Sequence, residues 1–169
     1  MSENGMPIAN LDALEWVVQK HGERFEAAMA QIGPRIGARK LGARLCVVPP
    51  GKAAWPYHAH VVNEEMIFVL AGQGRLRLGE RELPLRVGDV VALPPGGVET
   101  AHQVVNSSSS EALRYLCVST MEAPDIGLYP DSDKFFVLAG SPPGGDKDQR
   151  SFSHIGRLAD SVAYWDGED

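Results

Sequence analysis

Short β-type segments separated by turn residues run through most of this chain and constrain its fold more than any other feature. The 169 residues include 18 glycines and 12 prolines, many of which fall between short apolar stretches. Leu76 and Leu78 alternate with arginines, and the run from Leu83 to Val87 also alternates, which is the period of a strand. Because many short strands joined by turns form sandwiches or barrels, the sequence predicts an all-β fold.

The length suits one domain with two appendages. Residues 1–22 are predicted to be an N-terminal arm, residues 23–140 the barrel, and residues 141–169 a hinge and a C-terminal tail that packs on the barrel. Asn10 is predicted to cap a short helix over residues 11–18, and residues 122–133 are predicted to be a loop. The predicted strands besides the histidine stretch described below are 24–32, 39–48, 65–70, 74–78, 81–87, 90–93, 101–106, 112–120 and 134–138.

Charge and hydropathy exclude several classes of protein. The net charge of −6 argues against a nucleic-acid binder, which would present a basic face. No apolar run approaches the roughly 18–20 residues of a membrane-spanning helix, and the N-terminal residues do not resemble a signal peptide. Cys46 and Cys117 each lie between apolar neighbours and are expected to be buried free thiols. We therefore expect a cytoplasmic protein that contacts neither membrane nor nucleic acid.

Two histidines and a glutamate in the stretch from His58 to Gly72 have the spacing of a metal site. His58 and His60 are two residues apart, so they share one face of an extended strand. Glu65 begins the next predicted strand and is expected to face the imidazoles across the ladder. Neutral imidazoles and a carboxylate suit a divalent ion such as zinc, iron, manganese or nickel. The stretch therefore predicts a site for one divalent metal ion.

Glu64 is the alternative carboxylate at this site. Counting along the strand, an inward Glu65 places Ile67 and Val69 inward and Met66 outward, which is acceptable packing. Glu65 is also the glutamate that is followed by six residues and then a glycine. We therefore predict Glu65 as the ligand and keep Glu64 as the second choice.

A second stretch, from Gly88 to Asn106, completes a resemblance to the cupin superfamily. The first cupin motif is matched by Gly51, His58, His60, Glu65 and Gly72. The second motif is matched in order by Gly88, Pro94, Gly96, His102 and Asn106. The resemblance covers about residues 40–120. Within the superfamily, the chain is similar to single-domain cupins of the sugar-phosphate isomerase type. It departs from the pattern before His102, where five residues follow Gly96 and two are usual.

This resemblance implies a double-stranded β-helix, that is, a jelly-roll barrel with one metal ion inside. It adds His102 to His58, His60 and Glu65 as the fourth ligand. It also implies a homodimer, and the arm 1–22 is the expected segment for exchange. The longer loop before His102 brings Glu99 near the site, so Glu99 and Glu64 are candidate catalytic bases, while the substrate-binding residues stay unassigned.

The reaction is left open by these residues, because one fold carries many chemistries. A metal-dependent isomerase acting on a sugar or sugar phosphate is the first hypothesis. An iron-dependent dioxygenase is the second, because the expected barrel lining of Ile67, Val69 and Val104 suits an apolar substrate. A non-catalytic small-molecule-binding cupin is the third hypothesis. A sensor of this kind usually carries a signalling domain, and the sequence shows no helix-turn-helix segment before or after the barrel. In each case the partner is a small molecule.

Several side chains outside the motifs have two interpretations. Arg75 and Arg77 form a solvated outer face if Leu76 and Leu78 point inward, and otherwise they can hold an anionic substrate. Arg39, Arg44 and Lys52 are either surface residues or partners of an anion. Trp55 and Tyr57 have the opposite parity to the histidines and are expected to face away from the metal.

Overall fold

The computed structural model of the chain describes residues 7–168, so residues 1–6 of the predicted arm and Asp169 of the predicted tail lie outside it. The described residues form strands joined by turns and short 3₁₀ segments. The strands are β1 (Val17–His21), β2 (Phe25–Gln31), β3 (Leu41–Val48), β4 (Ala59–His60), β5 (Glu65–Ala71), β6 (Gln73–Leu78), β7 (Arg81–Arg86), β8 (Val90–Leu93), β9 (His102–Val105), β10 (Leu113–Thr120), β11 (Asp125–Tyr129), β12 (Lys134–Ala139) and β13 (Phe152–Arg157).

The strands form three antiparallel sheets, which confirms the predicted all-β fold. A six-stranded sheet has the order β1-β2-β3-β10-β5-β8, a four-stranded sheet the order β13-β12-β11-β4, and a three-stranded sheet the order β7-β6-β9. Because chain neighbours are often not sheet neighbours, the chain crosses repeatedly between the sheets, as a double-stranded β-helix requires. Among residues 7–168 no helix has the length and apolar character needed to cross a membrane.

The main apolar core lies between the six-stranded and three-stranded sheets. Ile67 and Val69 of β5 pack there with Leu76 of β6 and with Leu113 and Tyr115 of β10, and each is at most 3% exposed. These residues alternate with outward-facing neighbours along their strands, as period-two geometry demands. The predicted inward parity of β5 is therefore confirmed.

The arginines of β6 lie on the outer face of their sheet. Leu76 is buried, whereas Arg75 and Arg77 point outward and pair with Glu82 and Asp131 at 3.1 and 2.7 Å. Since both guanidinium groups already have carboxylate partners at the surface, the solvated-face interpretation of this pair is the one that the structure supports.

Two expectations about local structure are wrong. Asn10 does cap a helix, by accepting a hydrogen bond from the Asp12 N–H at 2.8 Å, but that helix is the single 3₁₀ turn Leu11–Ala13. The β-branched Val17 and Val18 lie instead in strand β1, which pairs with β2. Residues 122–133 contain β11, where a loop was expected, because this segment pairs on both sides with β12 and β4.

The tail also contributes a strand, since β13 pairs with β12 along its whole length. At the opposite edge of the fold, β1 is an exposed edge strand of the six-stranded sheet, and it pairs within its own chain. The homodimer expected from the resemblance stays a prediction.

The buried amide of Asn106 ties together three segments, and replacing it with alanine is expected to lower the free energy of unfolding by about 3 kcal/mol. Its Nδ2 donates to the Val48 and Glu111 carbonyls, each at 2.8 Å, and its Oδ1 accepts from the Ser108 N–H at 2.9 Å. Asn106 is 0% exposed, so the variant leaves these groups without solvent to replace the lost bonds.

Equilibrium urea denaturation measures this difference. The exposed Ser109 of the same loop supplies a matched control, and Ser109→Ala is expected to stay within about 0.5 kcal/mol of the parent chain. Equal midpoints for the two variants would contradict the assigned role of Asn106.

Candidate metal centre

Three separate parts of the chain bring the histidines and the glutamate together. His60 lies in β4, which pairs with β11, and His58 precedes it in an isolated antiparallel bridge with His102 at the start of β9. Glu65 begins β5 in the six-stranded sheet. The expectation that Glu65 faces the imidazoles across a strand ladder is wrong, because β4 and β5 belong to different sheets. Glu65 instead reaches the histidines across the interior of the barrel.

The side chains converge closely. One ligand atom from each of His58, His60 and Glu65 lies within 4.8 Å of the others. His102 Nε2 is 3.1 Å from Glu65 Oε2, and His60 Nε2 is 4.0 Å from the same oxygen. The ring centroid of His58 lies 5.1 Å from that of His60 and 4.7 Å from that of His102. The structure therefore gathers all four residues that the sequence named.

Hydrogen bonds on the outer side of the rings fix which nitrogen carries the proton. His58 Nδ1–H donates to the Pro56 carbonyl at 2.8 Å, and His60 Nδ1–H donates to Asp125 Oδ2 at 2.7 Å. His102 Nδ1 makes a longer contact of 3.4 Å with the Thr100 carbonyl. Because a carbonyl or a carboxylate only accepts, the proton of His58 and of His60 belongs on Nδ1, and their Nε2 lone pairs are left for the interior.

The charges of the cluster agree with this arrangement. Burial, together with the neighbouring His102, lowers the pKa of His58 to about 3, so this imidazole is neutral. Burial opposes ionisation of Glu65, but hydrogen bonding to His102 and the surrounding imidazoles outweigh it and hold its pKa well below the usual range. Burial likewise opposes protonation of His60, whereas its bond to Asp125 and two carboxylate charges raise its pKa.

These observations fit a bound cation. The Glu65 carboxylate is an anion that faces the Nε2 lone pairs of His58 and His60 and lies 3.1 Å from His102 Nε2. Imidazole nitrogen with carboxylate oxygen is a donor set for a borderline divalent metal. His58, His60 and Glu65 thus form a cluster that can hold a divalent ion, with His102 beside it.

Asp125 is a residue of this site that the sequence interpretation missed. It is 0% exposed, and besides binding His60 it accepts from the Val62 N–H through Oδ1 at 3.3 Å. It was missed because residues 122–133 were expected to be a loop. Alternation along β11 predicts a strand, but it favours the apolar Ile126 and Leu128 as the inward face, so the sequence pattern does not identify Asp125.

Gly127 leaves the space in which the ring of Phe136 packs beside His60. It lies opposite His60 in the pairing of β11 with β4, and a Cβ there would overlap the ring of Phe136. The Phe136 ring therefore packs over Gly127 and reaches an edge-on contact with His60 at 5.9 Å between centroids. A side chain at position 127 would displace the ring that holds this imidazole in place.

A cavity of about 290 Å³ opens directly onto the cluster. Its walls include the neighbours Arg44 and Trp55, the neighbours Tyr129 and Phe136, and Arg150 from the C-terminal segment. The expectation that Trp55 faces away from the metal is wrong, because bends at residues 54–57 interrupt the strand and its parity. Tyr57 does point elsewhere: it is buried, and its hydroxyl donates to the Gly79 carbonyl at 3.1 Å.

The two candidate bases lie away from this cavity. Glu64 is exposed, and the Glu99 carboxylate accepts a hydrogen bond from the Gly97 N–H at 2.9 Å within its own loop. Hydrogen bonds from backbone N–H groups of this loop lower the pKa of Glu99, so it is an anion held at the surface. Neither side chain belongs to the cavity wall.

Comparison with known proteins agrees with this geometry. A provisionally assigned sugar phosphate isomerase from Acidithiobacillus ferrooxidans has a similar structure, with a TM-score of 0.77, 22% identity, and coverage of 95% of this chain and 98% of that one. A cupin-superfamily sugar phosphate isomerase from Silicibacter pomeroyi is also similar, with a TM-score of 0.74 and 23% identity. That alignment covers 95% of this chain and 98% of the other. These likenesses show the fold.

In sequence, an uncharacterised protein of Methanocaldococcus jannaschii is 30% identical over 73 residues, which are 43% of this chain and 54% of that protein. The match therefore spans about half the length of that relative. The family model of the cupin domain matches residues 44–119, a range that contains both histidine motifs. A cupin domain is thus matched at residues 44–119, and the barrel with its histidine cluster agrees with that match.

Proposed function

We propose that this chain is a metal-dependent isomerase of a sugar phosphate, with the metal held by His58, His60, Glu65 and His102. The observation that carries the proposal is the cluster of ligand atoms on the wall of a cavity. A volume of about 290 Å³ is at the lower end for small-molecule sites, which suits a substrate of few carbons.

A divalent ion at this place supplies Lewis-acid polarisation of a carbonyl and a template for adjacent hydroxyl groups. Four protein ligands leave coordination positions for the substrate on a five- or six-coordinate ion. The Nδ1–H bonds to Pro56 and Asp125 orient the first two imidazoles before any ligand arrives. The protein's part is thus to hold the donors in place.

Tyr129 is a proton-bearing group on the cavity wall beside the histidines. Its ring lies 6.2 Å from that of His58, and burial raises its pKa, so it keeps its hydroxyl proton at neutral pH. An isomerisation moves one proton between adjacent carbons while the hydroxyl and carbonyl oxygens exchange roles. We assign Tyr129 the task of donating a hydrogen bond to a substrate oxygen during that exchange.

The two solved structures that align with nearly the whole chain, including its tail, bear the same activity in their names. At 22–23% identity this likeness supports the choice of substrates to test first. The cupin fold alone does not select a reaction, so the activity rests on the cluster and on its test.

The test begins with elemental analysis of protein purified without added metal. We expect zinc or manganese near one equivalent, and interconversion of an aldose phosphate with its ketose isomer when followed by proton NMR. Protein stripped with a chelator serves as the control and is expected to lose at least about 100-fold in rate, because the Lewis acid is absent. A metal-loaded protein that converts none of a panel of three- to six-carbon sugar phosphates would contradict the proposal.

An iron-dependent dioxygenase is the second candidate, favoured by one observation. The apolar Ile67, Val104 and Phe136 line the cavity next to the histidines, and such a lining suits an aromatic or thiol substrate. Iron near one equivalent, with O₂ consumption in the presence of a catechol or a thiol, would support this candidate against the isomerase.

A further inference from the structure

We propose that Arg44 and Arg150 form an anion subsite in the cavity, which seats the phosphate group of the substrate. This inference rests on the proposed function and assigns residues to a part of it that no sequence motif marks. The chain as a whole carries a net charge of −6, so binding of an anion depends on a local positive region.

Arg44 points into the barrel from strand β3. It shares a face with Cys46 and Val48, which are both 0% exposed in the main core, and it lies on the cavity wall. Its guanidinium carbon lies 5.3 Å from the centre of the Trp55 ring, so the group is held by stacking on an aromatic face. The inward position of an arginine in an otherwise apolar row is unusual and needs a partner.

No carboxylate supplies that partner within the described part of the chain. The surface arginines Arg75 and Arg77 each form an ion pair with an acidic side chain, whereas no ion pair among residues 7–168 involves Arg44 or Arg150. An inward guanidinium without an internal anion leaves its N–H donors available to a ligand anion.

Arg150 brings a second set of unused donors to the same cavity. It follows the 3₁₀ turn Lys147–Gln149 and precedes β13, and it belongs to the cavity wall together with Pro143 and Gly144. Its Nε is buried and has no hydrogen-bond partner among the described residues. A buried N–H that finds no acceptor in the protein is an exception that calls for an occupant.

Gly144 joins the two halves of this subsite. It has a φ of 82°, and a Cβ there would collide with Nη2 of Arg44. The backbone of the C-terminal segment therefore lies directly against the Arg44 guanidinium. Arg150, six residues later, enters the cavity from this same segment, so the tail completes a positive wall that the barrel alone leaves half-built.

The chemistry of these donors selects a phosphate group. Each guanidinium presents a planar fork of N–H donors, which matches the paired oxygens of a phosphate. The histidine cluster, which lines the same cavity, can receive the carbonyl and hydroxyl end of the same molecule. A small polar molecule that carries a phosphate thus meets complementary groups for both of its parts within one cavity.

Calorimetric titration of inorganic phosphate and of glucose 6-phosphate into the metal-free protein tests the subsite without requiring turnover. Glucose titrated in parallel reports the contribution of the sugar alone. We expect both phosphate compounds to bind, and Arg44→Gln and Arg150→Gln each to weaken binding roughly 10- to 100-fold, the range for one charged hydrogen-bonding partner. Arg81→Gln, at an exposed arginine off the cavity wall, is the matched control and should bind as the parent does.

A second substitution guards against a folding defect at position 44. Arg44→Lys keeps the charge and the aliphatic stem but loses the planar set of guanidinium N–H donors. Its affinity for phosphate is therefore expected to fall between those of the parent and Arg44→Gln. Equal affinity in all these variants, or no binding of phosphate by the parent chain, would overturn the subsite. Phosphate binding without isomerisation of any sugar phosphate would uphold the subsite and contradict the isomerase proposal.

Discussion

Replacing His58 and His60 together with alanine is expected to abolish metal binding by this chain. The variant removes two of four converging donors and leaves Glu65 and His102 alone in the barrel interior. Since a four-ligand zinc site is worth about 10–16 kcal/mol, two ligands account for roughly a 10⁴-fold loss in affinity. Elemental analysis after dialysis, and titration with zinc, measure the loss directly.

A thermal shift gives a second measurement on the same proteins. Metal at 100 times its dissociation constant stabilises the parent by about 2.7 kcal/mol, which corresponds to a rise in Tm of roughly 5–10 °C. The double variant is expected to show no rise.

The chain offers a matched control with the same number of histidines removed. His21 and His154 are exposed and lie outside the cluster, so His21→Ala with His154→Ala should keep both the metal and the thermal shift. Stoichiometric metal in the His58 and His60 variant, or its loss in this control, would contradict the assigned site.

Asp125→Asn is expected to weaken metal binding about 10- to 100-fold, although Asp125 is not itself a ligand of the proposed site. Its carboxylate accepts the Nδ1 proton of His60 at 2.7 Å and thereby keeps the Nε2 lone pair turned inward. An asparagine can present its amide N–H₂ to Nδ1, which allows the proton to move to Nε2 and blocks ligation. Competition titration with a chromophoric chelator measures the affinity.

Asp131→Asn is the control for this substitution. Asp131 belongs to the neighbouring turn and pairs with Arg77 at the surface, away from the cluster, so its variant is expected to bind metal within about twofold of the parent. If Asp125→Asn binds metal as tightly as Asp131→Asn does, the tautomer of His60 is fixed by something other than Asp125.

Most of the strands and the cluster of His58, His60 and Glu65 could be predicted from the sequence because both depend on local patterns, whereas His102 was added by the resemblance. Alternation of apolar residues located most of the strands of the barrel, and parity along β5 selected Glu65 over Glu64. His58, His60 and Glu65 come together because His60 and Glu65 lie in short strands and His58 lies in the bridge just before β4. Such features need no knowledge of which strand pairs with which.

Contacts that depend on pairing between strands far apart in the sequence could not be predicted from it. Glu65 meets the histidines across the interior, a contact that follows from sheet order and not from the turn between the segments. Asp125 faces His60 because β11 pairs with β4, a partner 65 residues away. Trp55 reaches the cavity against expectation, through bends that break strand parity. Of the two interpretations of Arg44, its place on the cavity wall favours the anion partner.

The metal cluster lies wholly inside residues 44–119, whereas Gly144 and Arg150 of the cavity wall lie outside them. Of the proposed anion subsite, Arg44 thus belongs to the matched domain, whereas Arg150 reaches the same cavity from the segment that follows β12. Under the proposed function, substitutions in that later segment can alter which molecules enter the cavity while the histidine cluster stays intact.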